Sequence, residues 1–184
     1  MVYRPQDRIF TPAAPTAGVV SLTDLKAHLR LTGDDEESLV KTLGFTALAI
    51  AEAYTQRLFS TRQCTLQLSA LPNGIEPIEL PGGLPGALTS VFVDGVEVTG
   101  CTIIGHSPAL LIPATNWPAV TGTGYPITIT YTAGYATVPQ DLQHALKLIV
   151  GDLFEQRTHS SEARLADVPI SATYLMDRHR IRPL

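Results

Sequence analysis

The spacing of hydrophobic positions changes character twice along the chain. The first 18 residues carry Pro5, Pro12 and Pro15 among small and polar residues, and no periodic apolar face runs through them. They read as an extended arm or as disordered chain, with folding starting near Val19. Ser21 is placed to cap a helix in which Leu22, Leu25 and Leu29 share one face and Asp24 lies in the first turn, and Gly33 is expected to end it. A second helix of about 24 residues is predicted from Asp34 or Asp35, with Glu36 and Glu37 at its positive end. Its predicted buried stripe is Leu39, Val40, Leu43, Ala47, Ile50, Ala51, Tyr54 and Leu58.

Between 60 and 135 the period shortens to that of strands, in β-branched segments punctuated by Pro and Gly. Residues 65–71 and 127–132 alternate, and 89–93 and 96–99 flank Asp94-Gly95, the signature of a two-residue hairpin turn. Weaker strands are expected at 78–80, 102–104 and 110–112, with loops at Pro72-Asn73-Gly74 and Pro81-Gly82-Gly83. After Pro139, suited to the first turn of a helix, the helical period returns through Leu142, Ala145, Leu146, Ile149, Val150, Leu153 and Phe154. A glycine inside a helix costs roughly 1 kcal/mol relative to Ala, so Gly44 and Gly151 are expected to mark a close approach of the second and third helices. A last short helix is expected within 171–178, after Pro169.

The predicted fold class is α+β, a helical core of about four helices with an inserted antiparallel β subdomain between helices 2 and 3. The corresponding segments are the arm 1–18, the first half of the helical core 19–59, the β insertion 60–135, the second half of the core 136–173, and a terminal segment 174–184.

Composition narrows the function. With 45% hydrophobic and 16% charged residues the chain has the makings of a packed core. The longest apolar run, 43–53, falls short of the ~18–20 residues that span a bilayer. Arg4, Asp7 and Arg8 occupy the place of a signal peptide's apolar stretch, so synthesis and residence in the cytoplasm are expected. The net charge is −4, yet 174–184 carries a local +2 from Arg178, Arg180 and Arg182 against Asp177. An acidic body opposes counterion-driven binding to DNA, which makes a sequence-specific DNA binder unexpected, while remaining compatible with a passage through which DNA slides.

A search for chemistry comes back empty. Cys64 and Cys101 lack the clustering of a zinc site and read as buried thiols. His28, His106, His144, His159 and His179 are scattered without metal-ligand spacing. Gly105-His106-Ser107-Pro108 is no nucleophile elbow, and neither 81–86 nor 122–124 continues into the Lys-Ser/Thr of a phosphate loop. The acidic run 34–37 lacks the alternating ligands of a calcium loop. No catalytic residue, cofactor or metal is therefore expected. In the terminal segment, an extended backbone would put Met176, Arg178, Arg180 and Arg182 on one face and Asp177, His179 and Ile181 on the other, which suits addition to a partner's sheet edge, or equally a frayed basic tail.

An ordered set of fragments resembles a known family. It comprises Ser21-Leu22-Thr23-Asp24-Leu25-Lys26-Ala27-His28-Leu29-Arg30, Asp34-Asp35, Ala53-Tyr54-Thr55-Gln56-Arg57, Asn116-Trp117-Pro118 and Ile129-Thr130-Tyr131-Thr132-Ala133-Gly134-Tyr135. Val138-Pro139, Leu142, Ala145 and Phe154-Glu155-Gln156-Arg157 complete it. Over about 19–157 the chain resembles the head-tail connector proteins of tailed phages, also called adaptor or head-completion proteins, which occur in gene transfer agents as well.

The resemblance implies a structural virion protein, not an enzyme, that forms a homo-oligomeric ring, a dodecamer, beneath the portal protein. That ring would extend the DNA channel towards a stopper or other tail-side neck protein, and DNA would pass through its lumen without sequence-specific binding. It further implies portal docking through the terminal segment, with Tyr174, Met176, Arg178, Arg180, Ile181, Arg182 and Leu184 as the docking residues. Trp117 is either an interface anchor or a core residue. Two other readings stand beside this one: another neck or tail-completion protein such as a stopper, and a ligand-binding module or enzyme built on the β insertion with Cys64, Cys101 and His106 as its reactive set.

Overall fold

A computed structural model describes residues 7–105, 107–156 and 169–181. The fold is α+β, four helices and two antiparallel sheets, with most of the β structure lying between the second and third helices. The chain divides into two compact units: 1–14 with 60–136, and 15–59 with 137–184.

In the β unit, a five-stranded sheet has the order β1-β2-β8-β4-β5, built from β1 (Arg8–Pro12), β2 (Arg62–Leu68), β8 (Ile127–Ala133), β4 (Pro85–Val93) and β5 (Val96–Glu97). A second sheet of three short strands has the order β3-β7-β6, from β3 (Ile78–Leu80), β7 (Ala109–Ile112) and β6 (Thr102–Ile104). Alternation produces a two-faced large sheet, because successive side chains on a strand point to opposite sides. Cys64, Leu66, Leu68, Val91, Val93, Ile127, Ile129 and Tyr131 are buried on one face. The register puts Thr11, Thr65, Thr130 and Ser90 in one row of the other face, and Ile9, Gln67, Thr128 and Phe92 in the next. These two rows carry no charged side chain until Glu97 at the β5 edge.

Asp94-Gly95 makes the predicted two-residue turn, with φ of 52° and 79°, the left-handed pair that matches the twist of a hairpin. Asp94 also ties this turn to the loop before β8, its carboxylate accepting from the Thr121 amide (2.8 Å), the Thr121 hydroxyl (2.9 Å) and the Gly122 amide (2.9 Å).

One expectation for this unit is corrected. A strand is already present at 8–12, before Val19, because this segment pairs residue for residue with β2 as an edge strand. A proline at the end of an edge strand costs no ladder bond, so Pro12 does not prevent the pairing.

In the helical unit, α1 (Leu22–Leu29) is capped by Ser21, whose hydroxyl accepts from the Asp24 amide at 3.1 Å. It ends at Arg30 in the left-handed conformation, three residues before Gly33. α2 (Glu37–Thr55) is 19 residues, shorter than the sequence predicts. Its expected acidic start is tied back to α1 instead: Lys26 Nζ donates to Asp34 (2.7 Å) and Glu37 (2.9 Å). At its other end Gln56 turns left-handed, leaving Leu58 and Phe59 buried beyond the helix. The buried stripe is also rotated, to Val40, Ala47, Leu48, Ala51 and Thr55, with Leu39 exposed. α3 (Gln140–Gln156) buries Leu142, Ala145, Leu146, Ile149 and Val150 as its period predicts, and α4 (Ile170–Asp177) buries Ala172 and Met176.

Candidate assembly interface

The sequence places its interaction candidates in the terminal segment, and the structure describes that segment up to Ile181. Its first part is the short helix expected within 171–178 rather than an extended strand. Tyr174 and Met176 lie in α4, and Arg178 and His179 form a turn after it. The physical reason is the i, i+4 pair Ala172 and Met176, fully buried where α4 packs on α3 and α2, which makes a helical backbone the one that hides Met176. Arg182 and Leu184 lie outside the described residues.

A set of polar contacts clasps the segment to the helical core. The Ile181 amide donates to the Thr55 carbonyl at the end of α2 (3.0 Å), and the Arg57 guanidinium donates to the His179 carbonyl. Tyr54 Oη donates to Asp177 (2.6 Å), and Arg180 stands over the Tyr54 ring at 4.9 Å from its centre. His179 Nε2 meets Asp141 in the first turn of α3 at 2.7 Å. Burial would raise the Asp141 carboxyl, but the hydrogen bond and charge of His179, with the Leu142 amide, outweigh it and hold the group below the usual carboxylate range.

On α4 itself, Ile170 and Tyr174 point outward, at 88% and 75% exposure. They sit two residues, about 200°, from Ala172 and Met176 around the helix. Arg178 and Arg180 are exposed as well.

A second surface of the helical unit is concave. Leu22 and Leu25 of α1, Gly44 and Phe45 of α2, and Leu146 and Val150 of α3 line a groove of about 270 Å³. Lys41 is its one charged side chain, and Phe45 stands at 43% exposure. Gly44 is there because a Cβ would come 3.2 Å from Leu25 Cδ1. Gly151 likewise faces α1, a Cβ there lying 3.5 Å from His28 Nε2. The approach expected between α2 and α3 at these two glycines is thus corrected: the nearest neighbour of each is α1, which a Cβ at Gly44 would crowd and a Cβ at Gly151 would meet at ordinary contact distance. His28 itself is exposed, and its imidazole is held below its ordinary value by partial burial, then by the charges of His144 and Lys147.

In the β unit, Trp117 is core rather than an exposed anchor: it is 7% exposed, its indole N–H donates to the Glu76 carbonyl (2.9 Å), and its amide donates to the Gly74 carbonyl (2.8 Å). Asn116 and Pro118 beside it gave no sign of this burial. Cys64 is buried in β2, whereas Cys101 is only partly buried, in front of β6, where burial pushes its thiol up. His106 lies outside the described residues, so the set Cys64, Cys101 and His106 is not assembled among the described ones. No group of three or more His, Cys, Asp or Glu able to hold a metal occurs among the described residues, and no helix there is long and apolar enough to cross a membrane. The Tyr54, Arg57 and Thr55 contacts could not be read from local pattern, because their partners are more than 120 residues away.

No protein-family model matches the chain, and no curated protein does. Solved structures do match. A chain in the neck of an empty GTA particle, computed with C6 symmetry, superposes with a TM-score of 0.78 at 22% identity, covering 96% of this chain and 97% of that one. A chain in the neck of a native GTA particle, computed with C12 symmetry, gives 0.76 at 20% identity over the same shares. A chain in the virion of a native gene transfer agent particle gives 0.77 at 24% identity, again over 96% and 97%. The chain therefore has the fold of chains that stand in the neck and virion of gene transfer agent particles.

Proposed function

We propose that this protein is a structural component of a particle neck, the head-tail adaptor that forms a ring beneath the portal and carries the DNA channel towards the tail. The observation that carries the reading is the near end-to-end correspondence with the GTA neck chains, 96% of this chain against 97% of theirs, so that both units are shared in the same chain order. The sixfold and twelvefold symmetry of those necks supports a cyclic assembly, which needs two different complementary surfaces on each subunit. The net charge of −4 supports a lumen that DNA slides past without sticking.

In this reading the portal is met by the basic end of the chain: Arg178 and Arg180, exposed beside the clasp, and Arg182 and Leu184 after it. The test is to mix the purified chain with the portal protein of the same particle, follow comigration by sedimentation, and image the complex by electron microscopy. A ring of density under the portal is expected, weakened when Arg178 is changed to Ala and 182–184 are removed, a truncation that leaves α4 whole. A folded chain that stays monomeric and never comigrates with the portal overturns the adaptor reading.

A further inference from the structure

The helical unit carries an apolar groove and, on α4, an outward apolar ridge. Ile170 and Tyr174 are the two most exposed large hydrophobic side chains among the described residues, and they stand one turn apart on a single helix face, about 6 Å along its axis. The groove between α1, α2 and α3 is lined almost wholly by apolar side chains, and α4 contributes nothing to it, so the ridge does not close over its own groove. At about 270 Å³ it falls below the ~300–1,000 Å³ of ligand pockets, and Ser21 and Lys41 are the only side chains in its lining that carry a polar group. It suits a pair of side chains better than a small molecule.

Charge gives the occupant. The described helix α4 holds one charged side chain, Asp177, one turn beyond Tyr174 and exposed, whose Oδ1 accepts from Tyr54 and whose second oxygen can take a further partner, and the groove holds one, Lys41. Lys41 is 3.8 Å from Glu37, longer than the Lys26 pairs with Asp34 and Glu37, and is 59% exposed, so it is available to a second carboxylate. A knob and a hole of opposite charge, on different surfaces of one chain, make a head-to-tail contact that repeats from copy to copy and closes into a ring when the rotation allows.

We infer that the Ile170–Tyr174 ridge of one copy seats in the groove over Gly44 of the next, with Asp177 facing Lys41 across the contact. The inference rests on the ring proposed above. It assigns the surface between subunits, leaving the portal to the arginines that follow.

The test uses the full chain with the portal present. A photo-crosslinking benzoylphenylalanine replaces Tyr174, and irradiated rings are resolved on denaturing gels and mapped by mass spectrometry. A ladder of covalent multimers is expected, with crosslinks to the segments around Leu22 and Phe45 of another copy. In parallel, Ile170→Asp and Phe45→Asp, both at exposed positions, should each keep the helical circular dichroism and melting temperature of the parent while reducing ring formation at least tenfold. Crosslinks confined to the same copy or made to the portal, or rings formed normally by both variants, overturn this contact while the neck reading stands. Failure of the unmodified chain to form any ring on the portal removes the neck reading, and this contact with it.

Discussion

Asp94 shows how one side chain can hold a loop. Its carboxylate accepts hydrogen bonds from the Thr121 amide and hydroxyl and from the Gly122 amide, which outweigh partial burial and keep the group below the usual carboxylate range. A folded value below the unfolded 3.8 means that the stabilisation is complete above the unfolded value and is lost as pH falls through the folded one. Asp94→Asn keeps a residue that tolerates φ of 52° and loses the charge. The melting-temperature gap between parent and variant should be widest near neutral pH and narrow as pH falls below the unfolded 3.8; a gap that stays constant through that fall would refute the account. Gly134 makes a different single-residue demand, with φ at +121° and a Cβ that would collide with the Ser60 carbonyl. Gly134→Ala should lower stability by about 1–3 kcal/mol or more, read as a fall in the urea midpoint.

At the scale of elements, α4 depends on Met176, fully buried between its neighbours. Met176→Ala should destabilise the helical unit by about 2–5 kcal/mol in chemical denaturation. His179→Ala should instead act locally: amide hydrogen exchange at 176–181 is expected to speed up while the centre of α3 keeps its protection, and unchanged exchange there would show the Asp141 contact to be dispensable. These elements also show what a sequence reveals. α1, α3 and the Asp94-Gly95 hairpin were legible because capping, helical period and turn chemistry all agree locally. β1 was not, since an edge strand exposing Arg8, Ile9 and Thr11 has no alternation to read. In the terminal segment the short helix within 171–178 was legible, whereas Arg178, Arg180 and Arg182 alternate like a strand although the chain before them is fixed as helix by Ala172 and Met176 against residues distant in sequence. The groove was illegible for the same reason: its walls come from three helices, and Gly44 indicated a close approach without naming α1 as the partner.

For the whole molecule, the consequence is that the β unit is not a simple insertion, because 1–14 belongs to it along with 60–136. Removing 60–136 alone would leave β1 with no strand to pair. Removing 1–14 as well, and joining 59 to 137 through a short Gly-Ser linker, should give a soluble chain that unfolds cooperatively with helical circular dichroism, since α1 to α4 share buried residues of their own. A linker of about six residues suffices, because Arg62 and Ala133 are paired across β2 and β8 at the ends of the excised part. A non-cooperative or aggregated product would show that the helical core needs the β unit to fold.

The polypeptide passes between its two units three times, at 14/15, 59/60 and 136/137. A protease nick at 136/137, where Ala136 and Thr137 are exposed, leaves α3 and α4 seated among α1 and α2 by packing alone, so a cut chain should still migrate as one body until it is denatured.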